Sequence, residues 1–122
     1  MCMSELKFDD KGLISALICD HQTSEVLMVG YMNEEALRQT VASGRATFWS
    51  RSRQKLWVKG EGSGHTQKIK WIRVDCDGDC LLVGVEQRVG ACHRGYRSCF
   101  FRELRDGQWE IIAGKVFDPD EV

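Results

Sequence analysis

Short apolar runs separated by polar turns make up most of the chain, and runs of this kind predict strands. They occupy residues 12–19, 26–29, 46–50, 68–75, 81–85, 100–104 and 109–112. Asp77-Gly78 and Asp106-Gly107 each stand between two of these runs. Because Asp-Gly is typical of tight hairpin turns, the pattern predicts a chain built largely from antiparallel hairpins.

Only residues 33–43 have the pattern of a good helix. Asn33 is a suitable N-cap, two glutamates follow it in the first turn, and Gly44 can end the helix. Leu37 and Val41 lie four positions apart, so we expect both on one face of the helix.

The simplest closure for these elements is a curved antiparallel sheet or small pseudo-barrel with one capping helix, a mainly β fold of the α+β class. A chain of 122 residues with 43% hydrophobic content can build one core. One proline and no linker-like segment leave no internal boundary. We expect a single domain over residues 1–122, with its core at about 12–116.

Charge excludes some classes of partner. Lys and Arg number 17 against 18 for Asp and Glu, so no net field attracts nucleic acid. No apolar run is long enough to span a membrane. The first twelve residues lack the apolar core of a secretion leader. We therefore expect a cytoplasmic protein that binds neither nucleic acid nor membrane.

Six cysteines would suit a small disulfide-bonded secreted protein, but without a leader we expect reduced thiols. Cys19 lies in an apolar run and is expected in the core, and Cys2, near a chain end, is given no role. The other four cysteines fall within one quarter of the chain.

The segment DCDGDC at 75–80 raises the first question of chemistry. An ordinary solvated turn is one reading, since Asp and Gly are common turn residues. In an extended segment, however, Asp75, Asp77 and Asp79 would project to one side and Cys76 to the other. Crowded carboxylates favour a hard cation such as Mg²⁺, and the thiol favours a softer ion.

Cys92 and Cys99 are the further thiols that a metal site with Cys76 needs. The spacing C-x15-C-x6-C matches no common structural zinc site, whereas three ligands with an open fourth position are typical of catalytic zinc. The alternative is that these thiols are buried or incidental. His93 is then a ligand, a base or a polar loop residue. With three thiolates, the zinc centre has a net charge of −1, so a proton acceptor is needed nearby. This need favours the role of base for His93 over the other two roles.

Residues 49–65 are rich in basic and glycine residues. Arg51, Arg53, Lys59 and Ser63 offer anion-binding groups, and glycines let backbone N–H groups approach a phosphate. The alternative is a charged, solvated hairpin.

Four stretches in fixed order resemble the phosphoribosyl-AMP cyclohydrolase family in its stand-alone form. They are GYMNEEAL (30–37), FWSRSRQKLWVKGEGSGH (48–65), DCDGD (75–79) and ACHRGYRSCFFR (91–102). The resemblance covers about residues 12–105, nearly the whole chain. Gly62 departs from the Thr or small polar residue more usual in this family, and Cys80 falls outside its ligand set.

The resemblance implies an enzyme of histidine biosynthesis. The implied reaction is the third step of that pathway, in which zinc-activated water hydrolyses the N1–C6 bond in the adenine ring of 1-(5-phosphoribosyl)-AMP. It also implies an intertwined homodimer that shares zinc between subunits. The implied zinc ligands are Cys76, Cys92 and Cys99, and the implied magnesium ligands are Asp75, Asp77 and Asp79.

Two histidines, His93 and His65, are the expected proton-transfer groups. The expected substrate-binding residues are Arg51, Arg53, Lys59 and Ser63. Two rival interpretations remain: a zinc-stabilised nucleic-acid-binding module, disfavoured by the near-neutral charge, and a nucleobase deaminase, which would release ammonia.

Overall fold

The computed structural model describes residues 3–121, so the interpretation of Cys2 lies outside the described chain. The strands are β1 (Ile14–Asp20), β2 (Val26–Met32), β3 (Thr47–Ser50), β4 (Lys55–Val58), β5 (Gln67–Val74), β6 (Cys80–Gln87), β7 (Arg102–Arg105) and β8 (Gln108–Ile111). Helix α1 (Glu34–Ser43) lies between β2 and β3, and 3-10 turns cover Met3–Glu5 and Pro119–Glu121. The expectation of a β-rich chain with one α-helix is confirmed.

The largest sheet has the strand order β2-β1-β6-β5. β1 pairs with β2 in antiparallel fashion but with β6 in parallel, from Ser15 opposite Cys80 to Asp20 opposite Val85. The prediction of an antiparallel sheet is therefore wrong at β1 and β6. About 60 residues separate these strands, and a connection of that length allows the parallel crossover that a short hairpin forbids.

The hairpins β3–β4 and β7–β8 form two separate two-stranded sheets. None of the three sheets closes on itself within residues 3–121, so the pseudo-barrel is not formed by their strand pairing. Both predicted Asp-Gly turns are confirmed. At the second one Asp106 and Gly107 have φ angles of 49° and 78°, the left-handed values that a tight two-residue turn requires.

The core lies between the large sheet, the β3–β4 hairpin and α1. Ile14, Ala16 and Ile18 alternate along β1 and are almost fully buried, as period-two patterning requires. The Phe48 ring of β3 lies directly over Gly30 of β2, where a Cβ atom would stand 2.5 Å from a ring carbon. This close approach seats the hairpin on the sheet.

Helix α1 has the predicted ends. The Asn33 side chain accepts a hydrogen bond from the Ala36 N–H at 2.8 Å, and Gly44 closes the helix with φ 73°. Leu37 is buried, whereas Val41 is 50% exposed. Thr40 is buried instead, since its hydroxyl donates to the Ala36 carbonyl and accepts from the Thr47 N–H. No helix in residues 3–121 combines the length and apolar character needed to cross a membrane.

Candidate active site

Five of the residues singled out from the sequence line one cavity of about 300 Å³. They are Lys59, Ser63, His65, Cys92 and His93. Lys59 stands at the end of the β3–β4 hairpin. The other four come from two loops: the glycine-rich loop (residues 60–65), which follows Lys59, and the thiol loop (residues 90–99), which follows β6. The cavity therefore gathers two imidazoles, an ammonium, a hydroxyl and a thiol.

The thiol loop is anchored on the β1–β2 hairpin. Arg97 donates to Asp20 at 2.6 Å and to Glu25 at 2.8 Å. Beyond it, the Ser98 hydroxyl donates to the Val26 carbonyl, and the Cys99 N–H donates to the Leu27 carbonyl, each at 2.7 Å. These bonds set where the loop presents its cysteines.

Cys92 and Cys99 are neighbours within the thiol loop. Cys92 is buried, with 4% exposure, whereas Cys99 has an exposed face. Desolvation and the nearby Cys92 thiol raise the pKa of Cys99 to about 11. Two neighbouring thiols, one of them costly to ionise without a counter-charge, are suited to a cation.

Lys59 brings positive charge to these thiols. Its Nζ donates to the Ala91 carbonyl at 2.5 Å, which holds it against the thiol loop. Desolvation lowers the pKa of Lys59, while Cys99 and Cys92 act to raise it. The ammonium is thus placed to offset negative charge on the two sulfurs.

The carboxylate turn (residues 75–79) forms a second cluster. Oxygens of Asp75, Asp77 and Asp79 lie within 4.8 Å of one another, and all three residues are exposed. They converge as predicted, but the reason given for it is wrong, because the segment is a turn and not an extended strand. Asp75 accepts hydrogen bonds from the N–H groups of Asp79 at 3.0 Å and Cys80 at 3.3 Å, which curls the backbone around it.

The closeness of the carboxyl groups in this turn affects their pKa values. Hydrogen bonding to Asp75, followed by the Asp75 charge, raises the pKa of Asp79. Desolvation acts to raise the pKa of Asp75 too, but its hydrogen bonds from Asp79, Cys80 and Gly78 lower it overall. The two neighbouring carboxyl groups thus have pKa values displaced in opposite directions.

The two clusters lie at opposite ends of β6. Cys76 precedes Cys80, where β6 begins, and Cys92 follows Gln87, where it ends. Eight residues of strand span about 23 Å. Within residues 3–121 the carboxylate cluster is the only set of three candidate ligand atoms so closely grouped, so Cys76 does not join Cys92 and Cys99 in one chain.

Comparison with known proteins assigns the family. The model of the family described as phosphoribosyl-AMP cyclohydrolase matches residues 28–101. The chain belongs to this family. Proteins named phosphoribosyl-AMP cyclohydrolase from three organisms are similar over nearly the whole chain. That of Methanosarcina barkeri is 61% identical over 113 residues, which are 93% of this chain and 85% of the relative.

The other two relatives support the same assignment. That of Methanosarcina mazei is 59% identical over 117 residues, which are 96% of this chain and 94% of the relative. That of Chlorobaculum parvum is 52% identical over 121 residues, which are 98% of this chain and 88% of the relative. As a phosphoribosyl-AMP cyclohydrolase family member, the chain is a hydrolase.

The basic residues predicted from the sequence are divided between two places. Lys59 and Ser63 reach the cavity, whereas Arg51 stacks on the Tyr31 ring at 4.0 Å and lines a separate recess of about 290 Å³. Trp49 also lines this recess, and Arg53 is exposed outside both. Tyr31 and Trp49 lie in the motifs that carry the family resemblance, so the sequence did contain a signal for them.

Buried amides behind the cavity were not found by sequence reasoning. Gln67, fully buried, donates to Gln87 at 2.8 Å, and Gln87 donates to the His65 carbonyl at 3.3 Å. The pair supports the backbone of the glycine-rich loop from below. No charge, spacing or motif distinguishes these glutamines from surface ones.

Loss of the Arg97 anchor should weaken the fold. We expect Arg97→Ala to lower the free energy of unfolding by about 1–2 kcal/mol, because two charge-assisted hydrogen bonds disappear. Arg38→Ala is the matched control. Its exposed pair with Glu34 should contribute only about 0.3–0.5 kcal/mol. Urea denaturation of both variants and the wild type measures the difference.

The Arg97 effect should also depend on pH. Backbone hydrogen bonds from Thr23 and Gln22, with a smaller effect of Arg97, lower the pKa of Asp20. A depressed carboxyl pKa stabilises the fold above the unfolded value of about 3.9 and loses that effect as pH falls through the folded value. The gap between wild type and Arg97→Ala should be full at pH 7 and shrink below about pH 4. An undiminished gap at pH 3 would mean that Arg97 acts through packing.

Proposed function

We propose that this chain hydrolyses the N1–C6 bond of the adenine ring in phosphoribosyl-AMP, opening the ring to the formimino-aminoimidazole carboxamide ribonucleotide of the third step of histidine biosynthesis. The observation that carries the proposal is the cavity that joins His65, His93, Lys59 and Cys92. Relatives with this activity in their names cover nearly the whole chain.

The substrate's own charge directs the attack. Ribosylation at N1 places positive character on the amidine of the ring, so C6 is the electrophilic carbon. Water adds at C6, and collapse of the adduct breaks the C6–N1 bond. His65 and His93, on opposite loops of one cavity, are the groups proposed to take a proton from the water and to return one at N1.

The donor set fits a zinc ion. Cys92 and Cys99 are adjacent thiols, and we propose that Cys76 is the third ligand. When bound, Zn²⁺ supplies a Lewis acid that makes water easier to deprotonate. Three thiolates would leave a net charge of −1, which the Lys59 ammonium beside them partly offsets.

The carboxylate turn fits Mg²⁺. Oxygen ligands from Asp75, Asp77 and Asp79 suit a hard cation, which would offset the repulsion among these carboxylates that helps to raise the pKa of Asp79. We propose that Mg²⁺ helps to hold the phosphates or ribose hydroxyls of the substrate. Arg51 and Arg53 offer guanidinium groups to phosphate, while Lys59 and Ser63 act at the cavity itself.

We further propose a homodimer in which the partner contributes Cys76 to each zinc site. The length of β6 supports this, because Cys76 precedes its first residue, Cys92 follows its last, and eight strand residues span about 23 Å. The β7–β8 hairpin gives a second argument, since both of its strands are wholly exposed. Its Leu104, Trp109 and Ile111 are 58–68% exposed, and apolar groups of this size favour a covering partner.

Activity and zinc content should depend on Cys99 and not on Cys80. Purified protein supplied with phosphoribosyl-AMP should give the absorbance change of ring opening, without ammonia. Cys99→Ser should lose zinc and lower kcat about a hundredfold or more. Cys80→Ser, the matched control at the first residue of β6, should keep both zinc and activity. Ammonia release, or zinc loss in Cys80→Ser, would contradict the proposal.

Removal of one carboxylate should affect magnesium and spare zinc. We expect Asp77→Asn to raise the Mg²⁺ concentration needed for half-maximal activity about tenfold or more, because a charged oxygen ligand is lost. Zinc content should stay near that of wild type. Asp10→Asn, an exposed change outside the cluster, is the control. Loss of zinc from Asp77→Asn would mean that the two sites are not separable.

A mixture of two inactive variants should recover activity if zinc is shared. Cys76→Ser and Cys92→Ser are unfolded and refolded together in equal amounts. A mixed dimer then holds one intact site and one doubly altered site. With random pairing, half of the dimers are mixed, so activity should reach about a quarter of wild type. Mixed dimers that form and stay inactive would place all ligands in one chain.

A further inference from the structure

The C-terminal strap (residues 115–119) crosses the thiol loop and lies outside the stretch 28–101 that the family model matches. The Val116 N–H donates to the Gly95 carbonyl at 2.8 Å, and the Phe117 N–H approaches the same oxygen at 3.4 Å. Strap residues Phe117 and Pro119 line the cavity beside His65 and His93. The strap therefore forms one wall of the candidate active site.

Two glycines of the thiol loop leave the room that the strap occupies. A Cβ atom on Gly95 would stand 2.8 Å from the Phe117 carbonyl oxygen, and Gly95 has φ 104°. A Cβ atom on Gly90 would stand 3.2 Å from the Phe117 ring and 3.1 Å from Val116 Cγ2. These glycines stand on either side of Cys92 and His93, so the strap is fitted to the loop that carries the proposed chemistry.

The Phe117 ring also meets the ring of His65. Their centroids are 4.5 Å apart, with the planes inclined at 75°, an edge-to-face arrangement that aromatic rings favour. The backbone of His65 is held separately, because its N–H donates to the Ser63 hydroxyl and its carbonyl accepts from Gln87. Within residues 3–121 no hydrogen bond holds the imidazole nitrogens. The contact with the Phe117 ring is therefore a specific interaction of this imidazole that can restrict its rotation.

We propose that Phe117 is a positioning residue, which orients the His65 imidazole toward the cavity and shields it from solvent on the strap side. The catalytic part of this inference rests on the proposed function, in which His65 transfers a proton. A group that is misoriented lowers the rate of the chemical step more than it weakens substrate binding. The predicted effect of losing the ring is therefore on kcat.

The test compares Phe117→Leu, which removes the ring and keeps apolar bulk, with Phe117→Tyr, which keeps the ring. We expect Phe117→Leu to lower kcat about tenfold with KM within about twofold, and Phe117→Tyr to stay within about twofold of wild type in both. Val116→Ala, a change in the same strap that leaves the ring in place, is the matched control and should resemble wild type. A fall in stability with unchanged kcat, or equal loss in Phe117→Tyr, would overturn the proposal.

A second measurement needs no substrate. The chain has three histidines, so the ring-proton NMR signals of His65 can be assigned by single replacement. Phe117→Leu should shift these signals much more than those of His21, because the ring current of Phe117 is lost, and Phe117→Tyr should largely preserve them. Unmoved His65 signals would overturn the contact. If the wild type fails to open phosphoribosyl-AMP, the proposed function falls, and these signals alone then decide whether Phe117 orients His65.

Discussion

The central strand β6 sets the distance between the two chemical clusters on which the rest of the site depends. It is hydrogen-bonded on both edges, to β1 in parallel and to β5 in antiparallel fashion, so it is an interior strand of the sheet. The carboxylate turn precedes β6 along the chain, and the thiol loop follows it. Within one chain the strand thus separates the carboxylates of Asp75, Asp77 and Asp79 from the thiols of Cys92 and Cys99.

Local features of this fold were predictable because local residues determine them. The Asp-Gly turns and the ends of α1 depend on neighbours within four positions, such as Asn33 with Ala36. Non-local features were not predictable. The parallel partner of β1 comes from 60 residues away, and Val41 is exposed because Thr40 finds a partner in β3.

The residues of the candidate site also differ in how far the sequence could predict them. Residue types and motifs were enough to name His65, Lys59, Cys92 and His93, which meet in one cavity. Their supports could not be named, since Gln87 and Phe117 act through shape and position. A phenylalanine near the C-terminus carries no sign in the sequence that its ring will meet an imidazole 52 residues earlier. The convergence of the carboxylates was anticipated from the wrong backbone geometry, because a turn and a strand can both bring alternate residues together.

The proposed sharing of zinc would link assembly of the dimer to metal binding. The raised pKa of Asp79 reflects its hydrogen bond to Asp75 and then the Asp75 charge, and the raised pKa of Cys99, to about 11, reflects desolvation and the Cys92 thiol. Under the proposed sharing of zinc, the partner's third thiolate adds charge that only the bound cation can balance. Zinc that binds the dimer and not the separate chains must then stabilise the dimer by mass action. The same ion would serve the chemistry and hold the two subunits together, so a chain of this size would need no larger core to keep its site assembled.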